Sequence, residues 1–280
     1  VDPALVAQRV HQVSTADGIP LHVCDYLLPV SAAWGSIVLM HGLGEHSGRH
    51  RHLAQFLNAQ GLSVRTYDMR GHGRSGGTRG DVIHGDPMLQ DAEIVIDEFA
   101  AGFDAPPFLL GHSMGGLFAA RFALSKRSPL RGLILSSPAL AVNLSAVEQF
   151  FLKVMHRVAP WLGVPNGLQP RYLSHDTRIV DAYRNDPLVH NRISARLLQS
   201  MLASIDYCAA HAQHYPVPAL LLYAGDDHLV DAGGSESIRH APNVEAHRYD
   251  ALYHEIFNEG PAAFSDLGDW LARQRSAPAV

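Results

Sequence analysis

The sequence has almost no cysteine. Two residues in 280, Cys24 and Cys208, cannot build a disulfide framework, so reduced thiols and an ordinary hydrophobic core are expected. Long apolar runs are missing too: Val217-Pro218-Ala219-Leu220-Leu221-Leu222-Tyr223-Ala224 falls far short of the roughly 18 residues that a spanning helix needs. Positive charge is not in surplus, with 22 Lys plus Arg against 27 Asp plus Glu, which argues against a nucleic-acid platform or a polybasic membrane surface. There are no internal repeats or low-complexity tracts, and Val1-Asp2-Pro3-Ala4 is not a basic segment leading into an apolar one, so no signal peptide is read there. A soluble cytoplasmic protein with a loose tail at Ser276 to Val280 is the expectation.

What is abundant is apolar content and histidine. With 47% hydrophobic and 18% charged residues, the chain can bury a large core, and its length suits one α/β domain carrying an insertion. Protonating half of the 18 histidines would carry the net charge from -5 to about +4, so the surface is unusually sensitive to pH near neutrality. Groups such as His46, His50 and His52, or His211 and His214, have metal-ligand spacings, but no carboxylate or cysteine frame accompanies them, and no metal is expected.

Short apolar runs alternate with segments of helical period, the pattern of a mostly parallel sheet covered by helices. Eight strands are predicted: Gln8 to Ser14 and Leu21 to Leu28 as an opening hairpin around Ala16-Asp17-Gly18, then Ser36 to Met40, Leu62 to Tyr67, Pro107 to Leu110, Arg131 to Leu135, Ala219 to Tyr223 and Glu245 to Tyr249. Helices are predicted at about Arg51 to Gln60, Pro87 to Ala101, Met114 to Lys126, Gly234 to His240 and Pro261 to Arg273. Between residues 141 and 215 no strand is legible and apolar residues recur at helical spacing. Phe150, Phe151, Val154, Met155, Val158, Trp161 and Leu162 form one group, and Leu197, Leu198, Met201, Leu202 and Ile205 another. This stretch is read as a helical cap inserted between strands 6 and 7, leaving 1–140 and 216–280 as the catalytic domain; its apolar groups are expected to divide between helix packing and an apolar groove.

Gly111-His112-Ser113-Met114-Gly115 matches G-x-S-x-G between an apolar strand and a helix, the setting in which a serine sits on a tight turn with its hydroxyl presented. Such a serine needs a base, and the base an orienting carboxylate, both later in the chain and beyond strand ends. Asp227, in the Asp-x-x-Val spacing to Val230, is chosen over Asp226, and His254, beyond the last strand, over His247 within it. Oxyanion donors are assigned to the N–H groups of Met114 and of Leu43, in the loop His41-Gly42-Leu43-Gly44-Glu45-His46, which His41 and Glu45 would hold. Asp68-Met69-Arg70-Gly71-His72-Gly73-Arg74-Ser75 lacks the Lys-Ser/Thr ending of a phosphate loop and is read as structural, with Arg70 and Arg74 in ion pairs.

These loops, extended to Ser47-Gly48-Arg49, Gly76 and Gly116, together with Asn185-Asp186-Pro187-Leu188 and Tyr253-His254, resemble the monoacylglycerol lipase and lysophospholipase branch of the α/β-hydrolases. The resemblance implies an eight-stranded α/β-hydrolase fold, a Ser113-Asp227-His254 triad, a helical cap around an acyl channel, and hydrolysis of monoacylglycerols or similar esters without a cofactor. By matching positions it implies Glu45, Arg49 and His112 as polar contacts for the alcohol part of the substrate. The partner expected is a small acyl ester, with transient contact between the cap and lipid surfaces. Two alternatives stay open: the same triad acting on a thioester, amide or xenobiotic ester, and a low-turnover receptor built on a hydrolase fold.

Overall fold

The computed structural model describes residues 6–83, 85–142 and 145–276. His84, Val1 to Ala4 and the last four residues of the predicted tail lie outside the described residues. Ten strands and eight α-helices occur among the described residues, and eight of the strands join one sheet in the order β1-β2-β4-β3-β5-β6-β9-β10. These are β1 (Ala7–Ser14), β2 (Pro20–Leu27), β3 (Gly35–Met40), β4 (Leu62–Tyr67), β5 (Phe108–His112), β6 (Gly132–Ser136), β9 (Ala219–Ala224) and β10 (Val244–Tyr249). The opening hairpin is antiparallel and joins β4 antiparallel, whereas the strands from β4 to β10 run parallel.

The two-residue period of the strands divides the core. Ile37, Leu39, Phe108 and Leu110 face α1 (Arg51–Ala59) and α8 (Ala262–Ser276), meeting Leu53, Leu57, Leu267 and Trp270. Val38, Met40 and Leu109 point the other way, into the layer of α2 (Pro87–Ala100), α3 (Met114–Leu124) and α7 (Ala232–Ile238). With both faces covered, the central strands are fully buried, which is why they read as unbroken apolar runs.

Between β6 and β9 lie α4 (Ala146–Val158), α5 (Thr177–Asn185) and α6 (Ala195–His211), and none of the described residues of this stretch enters the main sheet. The expectation of no strand here needs correction: β7 (Gly163–Pro165) and β8 (Arg192–Ser194) pair antiparallel, Gly163 with Ser194. Three residues, one of them proline, are too few to show alternation. The second apolar group behaves as expected, with Leu197 and Met201 buried on α6. In the first group, Phe151, Met155 and Leu162 line a cavity, but Phe150, Val154, Val158 and Trp161 face solvent, Phe150 at 69% exposure. Among the described residues no helix is long and apolar enough to cross a membrane.

Candidate active site

Four loops converge at the carboxyl ends of parallel strands, following β3, β5, β9 and β10, the edge at which open α/β sheets place their ligands. Ser113 occupies the junction of β5 and α3 at φ 54° and ψ -119°. A non-glycine residue held there costs on the order of 1–3 kcal/mol and persists because its backbone is pinned. Its N–H donates to Ser136 O, and its carbonyl accepts from Leu117 and Ala139, each at 3.0 Å. The turn closes only around glycine: a methyl group at Gly111 would lie 2.3 Å from Gly115 O, and one at Gly115 2.4 Å from both Met40 O and His41 O.

The β9 loop delivers Asp227, whose side chain is 1% exposed. Oδ1 accepts the N–H groups of Leu229 at 2.9 Å and Val230 at 3.1 Å, and Oδ2 lies 2.7 Å from His254 Nδ1. The Asp-x-x-Val spacing thus has a physical reason, since Val230 supplies one of the donors that aim the carboxylate. Asp226 points elsewhere, half exposed and paired with His228. With Nδ1 donating to Asp227, the His254 imidazole carries its lone pair on Nε2; among the described residues no hydrogen bond joins Nε2 to Ser113 Oγ, and neither atom has a partner. Burial opposes charge on His254, but the adjacent Asp227 carboxylate, aided by Glu255 and Glu45, outweighs it and raises the pKa above the ordinary histidine value. Burial likewise pushes the Asp227 carboxyl up, and His254 with the two backbone donors brings it below the usual carboxylate range.

The β3 loop lies over Ser113, since a methyl group at Gly42 would come 3.3 Å from Ser113 Cβ. His41 and Glu45 both hold this loop. His41 donates from Nδ1 to Gly42 O at 2.8 Å and accepts the Met69 N–H on Nε2 at 2.9 Å, while Glu45 Oε1 accepts the Gly42 N–H at 2.6 Å. The N–H groups of Leu43, next to Gly42, and of Met114, next to Ser113, have no hydrogen-bond partner among the described residues.

Glu45 and Arg49 are occupied within the protein. Glu45 also accepts from His50 Nε2 at 2.9 Å and from Arg49 Nη1 at 2.5 Å, and the Arg49 guanidinium pairs through both terminal nitrogens with Glu255 at 2.6 and 3.0 Å and lies 4.8 Å over the Tyr183 ring of α5. Burial raises the Glu45 pKa, but His50 and Arg49 together hold it well below the usual value. His112 touches Ser136 Oγ at 3.2 Å and its ring lies 4.9 Å from His254; burial, reinforced by His254, keeps it neutral far below the ordinary histidine range. Glu255 and Tyr183 went unremarked in the sequence. Only the placement of Glu255 directly after His254 could have drawn attention to it.

The other singled-out residues are structural in their contacts. Arg70 pairs with Asp91 and Asp17, whereas Arg74 is exposed and makes no ion pair among the described residues, contrary to expectation. The three histidines with metal-like spacing diverge: His46 meets Asp186 at 2.9 Å, His50 meets Glu45, and His52 packs on Phe264. The insertion carries an open apolar pocket of about 540 Å³ lined by Phe151, Leu152, Met155, Val164, Ile193 and Leu198 among others. None of Ser113, Asp227 and His254 lines it, but Asn166 does, and its Nδ2 would lie 3.4 Å from a methyl group at Gly44, so this end abuts the loop that carries Leu43.

Residues 31–261 match the family model described as serine aminopeptidase, S33. A monoacylglycerol lipase of Mycolicibacterium smegmatis is 31% identical over 277 residues, covering 93% of this chain and 96% of that protein. The phospholipase YtpA of Bacillus subtilis is 34% identical over 232 residues, covering 80% of this chain and 88% of that protein. The crystal structure of Paleococcus ferrophilus monoacylglycerol lipase superposes with a TM-score of 0.81 at 34% identity, covering 91% of this chain and 99% of that one. The chain therefore belongs to the serine aminopeptidase S33 family and is a serine hydrolase of the α/β-hydrolase fold.

Proposed function

We propose that this enzyme hydrolyses carboxylic esters of fatty acids, monoacylglycerols first among them, through an acyl-enzyme on Ser113. The observation that carries this is the dry Asp227–His254 pair at the same sheet edge as a strained Ser113 and two N–H donors that have no partner among the described residues. His254 Nε2 takes the Ser113 proton as Oγ attacks the ester carbonyl, and the imidazolium is stabilised by Asp227. The oxyanion accepts from the Leu43 and Met114 N–H groups, the alcohol leaves with the proton held on His254, and water releases the fatty acid by the same path in reverse. In this reading the cap comprises 141–215, closes over the 1–140 and 216–280 domain, and receives the acyl chain in its apolar cavity. Exposed apolar side chains of α4 then offer a transient contact with the lipid surface that holds the substrate. The buried thiols of Cys24 and Cys208 suit a cytoplasmic location.

Head-group preference follows from charge. Glu45 and Glu255 flank Arg49, so among the described residues the polar wall beside the triad offers no spare cation for a phosphodiester, which favours a neutral glycerol ester over a lysophospholipid. The test is a panel of monoacylglycerols, lysophosphatidylcholines and short esters of graded chain length, run on wild type and Ser113→Ala. Wild type should favour monoacylglycerols, and the variant should lose activity by a factor on the order of 10⁵ to 10⁶. Wild-type rates in Ser113→Ala would overturn the reading.

A further inference from the structure

Glu255 is a second buried carboxylate beside the reacting histidine, and the triad mechanism leaves it without a role. Its side chain is 4% exposed. Besides the two-point pairing with Arg49, it accepts from Asn258 Nδ2 at 2.7 Å. Arg49, 11% exposed, reaches across to Glu45, and Glu45 in turn fixes the Gly42 N–H one residue before Leu43. A continuous chain of contacts therefore runs from the loop of His254, through one guanidinium, to the loop of the oxyanion donor, and the Tyr183 ring extends it to α5 of the insertion.

We propose that the Glu255–Arg49–Glu45 clamp is a positioning device that sets the spacing of His254 and the Leu43 N–H and supplies the negative charge that favours the imidazolium formed during acylation. This deepens the reading of Ser113, Asp227 and His254 as the catalytic triad and rests on it. Two-point Arg–carboxylate pairing fixes angle as well as distance, and an error of about 1 Å in such a constellation costs on the order of 10²-fold in rate. The groups facing His254 are Asp227 from the β9 loop, His112 from β5, Glu45 and Arg49 from the β3 loop and the turn after it, and Glu255 on its own segment. Among the described residues the insertion offers the Tyr172 carbonyl, which accepts the His254 N–H at 3.4 Å. Against the single cation of Arg49, two carboxylates besides Asp227 leave a net negative surround, so losing Glu255 weakens proton affinity at His254.

The clamp makes a different prediction from direct contact between Arg49 and the substrate alcohol. A residue touching the alcohol affects glyceryl esters alone, whereas one acting through His254 and Leu43 affects every acylation. The experiment measures the rate at which a fluorophosphonate, which carries no glycerol, labels Ser113 as a function of pH, alongside kcat and KM for glyceryl and p-nitrophenyl esters of one acyl chain. Glu255→Gln should slow labelling by about tenfold and lower kcat on both esters alike, with KM nearly unchanged and the acid limb moved to lower pH. Glu255→Asp, which keeps the charge, should restore the position of the limb while recovering only part of the rate. Arg49→Lys, unable to bridge two carboxylates, should slow labelling too, and it serves as the test if Glu255→Gln does not fold. Labelling of folded Glu255→Gln or Arg49→Lys at the wild-type rate and pH dependence, or losses confined to glyceryl esters, would overturn the proposal. If wild type itself is not labelled at Ser113, it is the triad reading that fails.

Discussion

Asp226 and Asp227 are neighbours in one loop, yet water and geometry separate them. Asp226 is half exposed and paired with His228, where an ion pair is worth about 0–1 kcal/mol. Asp227 is buried, with one oxygen spent on two backbone donors and the other on His254. Asp227→Asn would keep the shape of that cradle and lose the charge, leaving the imidazole without its orienting acceptor. We expect kcat to fall by about 10⁴-fold, with the acid limb of the pH–rate profile displaced downwards because the charge that raises the His254 pKa is gone. Asp226→Asn, measured in parallel, should stay within about twofold of wild type. Equal losses in the two variants would show that the loop, rather than the buried carboxylate, matters to the rate.

Among the described residues, α4 leaves much of its apolar stripe exposed. Leu152 turns inward at 8% exposure, while Val147, Phe150, Val154 and Val158 stay exposed. Replacing Phe150 by Glu should change stability by no more than about 0.5 kcal/mol, because no packed side chain is lost. If the stripe meets a lipid surface, the same change should lower activity on ester dispersed in vesicles by about tenfold, the transfer energy of one large apolar side chain, and leave a short soluble ester unaffected. Parallel losses on both substrates would instead make α4 part of the catalytic fold. This helix also marks how far the sequence could be read. Strands buried on both faces, such as β3 and β9, announce themselves as apolar runs, and Gly111-His112-Ser113-Met114-Gly115 carries its own steric requirement. An apolar period identifies a helix but not whether its stripe meets protein, cavity or water, which is why Phe150 and Phe151 were grouped although only Phe151 lines the cavity. Contacts made far along the chain leave still less trace: Arg49 and Glu255 are 206 positions apart.

The histidine excess has its physical consequence in the molecule as a whole. His41, His72 and His112 are buried at 0%, 1% and 5% exposure, and desolvation lowers the pKa of each, well below the ordinary value for His72 and His112. In the unfolded chain they take up protons as pH drops below about 6.5, and the folded protein does not follow, so stability falls. Each histidine that stays neutral in the fold contributes a slope of about 1.4 kcal/mol per pH unit in this range. His254 acts in the opposite sense: its raised pKa adds stability that is complete below about 6.5 and fades as pH rises through the folded value. Asp227 and Glu45, with lowered values, add stability above about pH 4 that is lost only in stronger acid. Between about pH 6.5 and 4.5 the buried histidines with lowered values therefore set the trend, and stability falls as the pH drops. The Tm, followed by circular dichroism from pH 7.5 to 5, should drop steadily. His72→Gln, neutral at every pH, should begin from a lower Tm and fall with a shallower slope. A Tm independent of pH between 7 and 5 would mean that these imidazoles are protonated in the fold without penalty, and the account of a neutral, desolvated histidine core would have to be abandoned.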